Sequence, residues 1–417
     1  MKKTRNRWFI ALSAVGIHIS IGSVYSWSVF SKPIMAKYGW SLSDVSLTFS
    51  IAIVFLGLSA AFLGRFVERR GPHVSGLVST CFYACGLIGA GIALSIGSLP
   101  LLYLTYGVCG GIGLGTGYIT PVSTLVKWFP DNRGMATGLA IMGFGFAALI
   151  ASPIIAQLIT AVGLTNTFFI LGAVYASVMF LSASYIAPPP EGWKPAGYAG
   201  DNANGEKKKR KADLAQLTAR EAIKTKRFYY LWLMLFINIT CGIGIIAVAS
   251  PMGQEIAGLT AASAATMVGI MGLFNGGGRI GWASLSDYIG RPLTYMLFFL
   301  IQMVAFYLLP RVSDALLFQA ILFLILTCYG GGFASVPAFI GDIFGTKQLA
   351  AIHGLILTAW SAAGVAGPQL VAWLRESTQS YTGTLTIFVG FFAVAFIISL
   401  LMLLDIRRLR AQPKPSA

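Results

Sequence analysis

The chain has 417 residues, 56% of them hydrophobic and only 11% charged, with a mean hydropathy of +0.75. A soluble globular protein of this length is far less apolar, so a soluble enzyme or binding domain is excluded. The 30 Lys and Arg against 14 Asp and Glu leave a formal charge of +16, a value that invites a nucleic-acid reading until the charges are placed along the chain.

Crossing about 30 Å of hydrocarbon takes roughly 20 apolar residues. Twelve stretches qualify: 8–30, 43–67, 74–96, 99–127, 131–160, 164–187, 228–254, 260–288, 292–311, 313–341, 346–374 and 381–406. The first follows Met1-Lys-Lys-Thr-Arg-Asn-Arg7, a signal-like start that lacks a small-x-small cleavage site. It is read as an uncleaved first helix. With the N-terminus in the cytoplasm, 25 of the 30 Lys and Arg fall in cytoplasmic segments. Lys32, Lys37, Arg311 and Arg375 fall outside, and Arg279 lies within a span. This is the positive-inside bias, and it places both termini in the cytoplasm. The basic face then meets anionic membrane lipids, and no nucleic-acid partner is expected.

Span two ends in Gly64-Arg65-Phe-Val-Glu68-Arg69-Arg-Gly71, an acid-x-x-Gly turn flanked by basic residues. Glycine reverses the chain there without steric cost. Cys81, Cys85, Cys109, Cys241 and Cys328 all lie inside spans. Cys81 and Cys85 are one turn apart with no matching His or acid, so packing is a better reading than metal binding. Six glycines (Gly107, Gly110, Gly111, Gly113, Gly115 and Gly117) crowd span four. They suit close helix approach; no strand precedes them and no Lys-Ser/Thr follows, so they are not a phosphate loop.

After Ala187, Pro188-Pro-Pro190 opens a polar stretch, 188–227, that contains Lys207-Lys-Lys-Arg-Lys211. This is read as a cytoplasmic linker between two six-helix halves, 1–187 and 228–417, with a short surface helix expected over 214–226. An internal repeat supports the halves. Ser286-Asp287-Tyr-Ile-Gly290-Arg291 repeats the acid and glycine of the first turn at an offset of 219, and Phe129/Phe344 and Pro153/Pro368 recur at 215. Such duplication is the layout of a transporter whose site lies between the halves at the bilayer midplane. Glu68 and Asp287, with Arg65, Arg69 and Arg291, are read as a cytoplasmic gating latch. Their carboxylates can take helix N-terminal amides or basic partners.

Arg279 stands in Met267-Val-Gly-Ile-Met-Gly-Leu-Phe-Asn-Gly-Gly-Gly-Arg-Ile-Gly-Trp282, and Asp287 is the nearest acid, eight residues on. A guanidinium near the bilayer centre costs about 2.5–3.5 kcal/mol on insertion scales, so it needs a watery cavity or a counter-charge. An anionic substrate supplies one. Tyr25, Tyr118 and Tyr329 also lie inside spans, away from the interfacial belt, and each buried hydroxyl needs a partner. There is no nucleophile–base pair, metal cluster or cofactor fingerprint in the sequence, so no enzyme, cofactor or metal is expected.

Gly22-Ser-Val-Tyr25-Ser-Trp27, Lys127-Trp-Phe-Pro-Asp131-Asn-Arg133-Gly134, Asn275-x3-Arg279 and the Ser286–Arg291 turn resemble the oxalate/formate antiporter family of the major facilitator superfamily. Bacterial monocarboxylate transporters of the lactate type are relatives of that family. The resemblance implies an all-α membrane protein of twelve transmembrane helices in two pseudo-repeats, a monomer in the bacterial inner membrane. The family's essential arginine falls on Arg279, and its aromatic cage falls on Tyr25, Tyr118, Phe144, Tyr329 and Phe333. A lysine of the oxalate-specific members is replaced by Trp360, and a glutamine by Val24. One arginine facing an indole suits one carboxylate on a small organic body, so a monocarboxylate such as lactate or pyruvate is expected rather than oxalate. Arg279 holds the carboxylate bidentately on this reading, and Asn275, one turn earlier, orients the guanidinium or takes a substrate hydroxyl.

Alternating access with proton symport is the expected mechanism. No carboxylate lies mid-membrane; His353 and His18 are the intramembrane groups most able to titrate near neutrality, and proton coupling through the carboxylate–arginine pair itself is the other route. An obligate carboxylate exchanger is the alternative. A transporter-like sensor fits less well, since neither the linker nor the tail is long enough for a signalling domain.

Overall fold

A membrane interior offers the backbone no hydrogen bonds, so each apolar run must pair its own amides and becomes a helix. The computed structural model describes residues 5–195, 213–378 and 380–411, and almost all of its described elements are helices. The basic run 207–211 lies outside the described residues.

Helix α1 (Arg7–Gly22) passes through one tight turn, Ser23–Ser26, into α2 (Trp27–Tyr38), which stops at Gly39 with φ of 68°. The long α3 (Leu42–Ser95) carries the second and third spans. It is broken at Gly71, where φ is 78° and Pro72 follows, the conformation that the acid-x-x-Gly turn reserves for glycine. Span four is built from α4 (Leu99–Leu102), a π-helical stretch at Tyr103–Gly110 and α5 (Gly111–Trp128). Spans five and six are α6 (Arg133–Val162) and α7 (Leu164–Tyr185). Cys81 and Cys85, read as packing residues, are exposed on α3.

The end of the linker forms only one helical turn, α8 (Ala219–Ala222), boxed by Thr218 and Glu221. The residues before it cannot coil because the C-terminal carbonyls of the helix Ala315–Phe344 take their amides. Leu214 N donates to Asp342 O at 2.9 Å and Leu217 N to Phe344 O at 2.8 Å. The remaining spans are α9 (Lys226–Ala257), α10 (Ala261–Ile289), α11 (Arg291–Leu308), α12 (Ala315–Phe344), α13 (Leu349–Thr378) and α14 (Tyr381–Ala411). Ten described stretches are long and apolar enough to cross a membrane. One of them is α3, which supplies two spans. With α10, whose hydropathy is diluted by glycines, Asn275 and Arg279, they make twelve.

Six spans precede the linker and six follow it. The two sets meet along two seams, α3 and α5 against α13, and α6 against α10 and α12. Backbones touch there because side chains are missing. A Cβ on Gly138 of α6 would lie 2.7 Å from the Arg279 carbonyl of α10, and one on Gly354 of α13 would overlap the Ala60 carbonyl of α3. Thr137 Oγ1 donates to Ala334 O at 2.8 Å across the second seam, and Ser361 Oγ donates to Ile53 O at 3.3 Å across the first.

Overpacking of a tight contact costs roughly 1–3 kcal/mol. Gly354→Ala is therefore expected to lower the melting temperature of the purified protein in detergent. Gly277→Ala, where the added carbon meets nothing within 4 Å, should leave it unchanged.

Candidate functional site

Arg279 is fully buried, and three helices are shaped to make room for it. Gly330 of α12 sits over Asn275 and Arg279, where a Cβ would stand 2.7 Å from Asn275 Oδ1 and 3.1 Å from Arg279 Cγ. Gly145 of α6 comes equally close from the other side, its Cβ position 3.1 Å from Arg279 Nε. The guanidinium has five N–H donors. Nε donates to Asn275 Oδ1 at 3.4 Å and Nη1 to the Ile141 carbonyl at 3.3 Å, both long for charged donors. Nη2 has no partner. The rings of Phe144 and Phe333 stand 5.9 and 5.4 Å from the guanidinium carbon. Among the described residues no carboxylate pairs with Arg279.

Aromatic rings close the space around it. Phe144 packs edge-to-face on Tyr25 at 5.1 Å, on Tyr118 at 5.5 Å and on Trp360 at 5.7 Å. Trp360 also meets Phe333 at 4.8 Å and Tyr118 at 5.4 Å, and Phe333 meets Tyr329 at 5.4 Å. The cage draws Tyr25, Tyr118 and Phe144 from before the linker, and Arg279, Asn275, Tyr329, Phe333 and Trp360 from after it. Several of its polar atoms are poorly satisfied: Tyr118 OH, Trp360 Nε1 and Arg279 Nη2 are buried and unbonded, and Tyr25 OH approaches Arg279 and Tyr329 without a well-formed hydrogen bond. A buried group left unpaired costs about 1–3 kcal/mol, more when charged. Several such groups converging on one space are the signature of a ligand site rather than a packed core.

The two intramembrane histidines border the same cage. His18 of α1 and His353 of α13 both pack on the Tyr118 ring, at centroid distances of 5.2 and 5.9 Å. His18 Nε2 lies 3.2 Å from the Tyr118 carbonyl, while His18 Nδ1 makes no well-formed bond and neither His353 nitrogen has a partner.

At one end of the bundle the acid turns meet the opposite half. Asp287 accepts from Gly134 N at 3.0 Å and Met135 N at 2.9 Å, the first amides of α6, a helix without a side-chain cap of its own. Glu68 Oε1 accepts from Ala350 N at 2.7 Å at the start of α13, and its Oε2 pairs with Lys127 at 2.7 Å. Each carboxylate thus caps a helix across the seam, where the local N-terminal field favours it. Arg291 pairs with Asp287 at 2.5 Å and with Asp342 at 3.1 Å. Arg65 and Arg69, grouped with these residues in the sequence reading, are exposed and stand outside the contact. Arg133 occupies it instead, bonded to Asp342 at 3.1 Å and to Asp213 of the linker at 2.7 Å. The repeat held a clue: Lys127 and Asp342 are related by the same offset of 215 as Phe129 and Phe344, and each is a charged residue beside an acid turn.

The Major Facilitator Superfamily profile matches residues 11–368, and the chain belongs to that superfamily. It is 29% identical to the oxalate:formate antiporter of Oxalobacter formigenes over 94% of this chain and 92% of that one. It is 21% identical to apicoplast pyruvate carrier 1 of Toxoplasma gondii over 91% and 85%. Human monocarboxylate transporter 1 is 28% identical over a shorter region, 38% of this chain and 32% of its own. The solved structure of the E. coli fucose:proton symporter shares the fold, with a TM-score of 0.73 at 13% identity over 95% of this chain and 99% of that one. The chain is a multi-pass secondary transporter.

Hydrogen bonds to charged groups contribute about 1.5–3 kcal/mol each. The double variant Asp287→Asn, Glu68→Gln is expected to loosen the charged end. Labelling of a Ser335→Cys reporter, buried in the wild type and placed in a chain stripped of its native cysteines, should then rise severalfold with a soluble thiol reagent.

Proposed function

We propose that this major-facilitator transporter carries a small monocarboxylate of the lactate or pyruvate type, in symport with a proton, by alternating access. The observation that carries the reading is the buried Arg279, whose Nη2 and the nearby Tyr118 hydroxyl have no partner and beside which the Tyr25 hydroxyl makes no well-formed hydrogen bond. A carboxylate brings two acceptor oxygens and one negative charge, which matches a guanidinium edge and a phenol in a dry cage. The named relatives handle oxalate, formate, pyruvate or monocarboxylates, consistent with that chemistry. The cage offers one cation, and Trp360 faces it with an indole. A second carboxylate would have to be desolvated against that ring without a counter-charge, which disfavours a dicarboxylate.

The positive-inside bias makes the charged end the cytoplasmic face of a bacterial inner membrane, with both termini on that side. The site then lies between an N-terminal half, 1–187, and a C-terminal half, 228–417, joined by the basic linker 188–227. Glu68, Asp287 and Arg291, together with Lys127, Arg133 and Asp342, act as the cytoplasmic latch, closed in this state. Binding of the anion cancels the charge of Arg279, so that the loaded cage can reorient. Carboxylate exchange without a proton is the second reading, favoured by the similarity to an antiporter.

Uptake of labelled L-lactate into proteoliposomes under an inward proton gradient tests the site. Arg279→Ala should abolish it. Arg279→Lys, which keeps the charge but loses the bidentate edge, should weaken apparent affinity roughly 10- to 100-fold, the equivalent of about 1.5–3 kcal/mol. Full activity of Arg279→Lys would remove Arg279 from the binding role, and uptake only into vesicles preloaded with a carboxylate would replace symport by exchange.

A further inference from the structure

The two histidines share one environment that neither a packing role nor the anion site uses. His18 is fully buried and His353 is 1% exposed. They come from α1 and α13, on opposite sides of the seam, and both pack on the Tyr118 ring of α5. The His18 Nε2 contact with the Tyr118 carbonyl requires a hydrogen on Nε2, because two acceptors do not bond. The rest of the His18 ring stands beside the Ala140 carbonyl, with no well-formed bond at Nδ1, and His353 has neither nitrogen bonded. A buried imidazole with no hydrogen bond gains nothing structurally from its nitrogens. An isosteric apolar residue would pack there at lower cost.

The groups that face these rings are few. Against His18 stand Tyr118 from α5, Phe144 and the Ala140 carbonyl from α6, and Arg279 from α10. Against His353 stand Tyr118 and His18 itself, while α3 presents the Ala60 backbone beside Gly354. Among the described residues no carboxylate acts on either ring. The one permanent charge in reach is Arg279, separated from His18 by the single ring of Phe144, which lies 5.9 Å from the guanidinium and 6.4 Å from the imidazole.

We propose that the His18–His353 pair is the proton site, and that its occupancy is tied to the anion through the charge of Arg279. This rests on the reading of Arg279 as the carboxylate ligand. In the empty carrier a proton on either imidazole places a second positive charge beside the guanidinium in a water-poor core. Two charges within roughly 12 Å at an effective dielectric of about 20 change a binding constant on the order of tenfold. A bound carboxylate cancels the first charge and removes that repulsion. The proton then adds to a free imidazole lone pair and leaves from it once the anion has gone. By linkage the proton strengthens anion binding by the same factor. The proton-only carrier holds two like charges, which suppresses proton leak, whereas the carrier loaded with both ligands has the same net charge as the empty one.

The test uses the full chain in proteoliposomes and reads two quantities for each variant. One is L-lactate counterflow without a proton gradient; the other is lactate accumulation, with dye-reported proton influx, under an inward gradient. In the His18→Gln, His353→Gln double variant the ratio of gradient-driven accumulation to counterflow should fall at least tenfold, with no proton influx accompanying lactate. His353→Gln alone, which sacrifices no hydrogen bond, should lower the same ratio and guards against misfolding of the double variant. A double variant that still couples lactate to proton influx at the wild-type ratio overturns the proposal. Failure of the underlying reading looks different: Arg279→Ala would then perform counterflow as well as the wild type, and the linkage would fall with it.

Discussion

An uncompensated guanidinium in the middle of the membrane constrains everything around it. Among the described residues Arg279 has two long hydrogen bonds, two aromatic faces and no carboxylate partner. Holding it there at a cost of several kcal/mol requires that lipid be kept away on all sides. The glycines of α6, α10 and α12 meet that requirement, because only backbones without side chains approach closely enough to seal the site. The same glycines place the seam between the halves at the arginine. The charge therefore sits in the seam, buried between the two sets of helices.

The contacts at the charged end follow from a second unpaid requirement. A helix leaves its first amides unsatisfied, and α6 starts without a side-chain cap. Its amides are taken by Asp287 from the other half, while Glu68 takes an amide of α13 in the reverse direction. Separation of the halves exposes these amides to water, which can replace the carboxylates at modest cost. A closure built in this way holds firmly yet is reversible, unlike an apolar seal, whose opening would expose greasy surface.

Much of this was legible in the sequence for a physical reason. Hydrocarbon thickness sets span length, so the apolar runs marked the helices to within a few residues, and a lone Arg among glycines marked a fully buried charge at the seam. Gly71 at the broken turn could be read because only glycine adopts that conformation cheaply. The π-helical stretch 103–110 was not legible, since its register depends on how α3 and α5 pack. The linker over 214–217 reads as helix but spends its amides on the last carbonyls of α12, at Asp342 and Phe344, a non-local contact. Arg133 looked like one charge in a motif. Its bridge to Asp213 and Asp342 depends on three segments far apart in the chain.

The site and the latch are joined by the same two helices. Arg279 and Asp287 lie eight residues apart on α10, about 12 Å at 1.5 Å per residue. Both grip α6: Arg279 through the Ile141 carbonyl, and Asp287 through the amides of Gly134 and Met135. Of these ties, the one at Ile141 is long and uses an N–H that an incoming carboxylate would bind more strongly. An anion that recruits Nη1 together with the free Nη2 would release α6 at the site while leaving it capped at the charged end. The polar ties between α6 and α10 would then rest on the charged end, where water can compete for every bond, while Thr137 still holds α6 to α12. Substrate binding would in this way weaken the closure two turns away without any contact to it, because one helix pair carries both attachments.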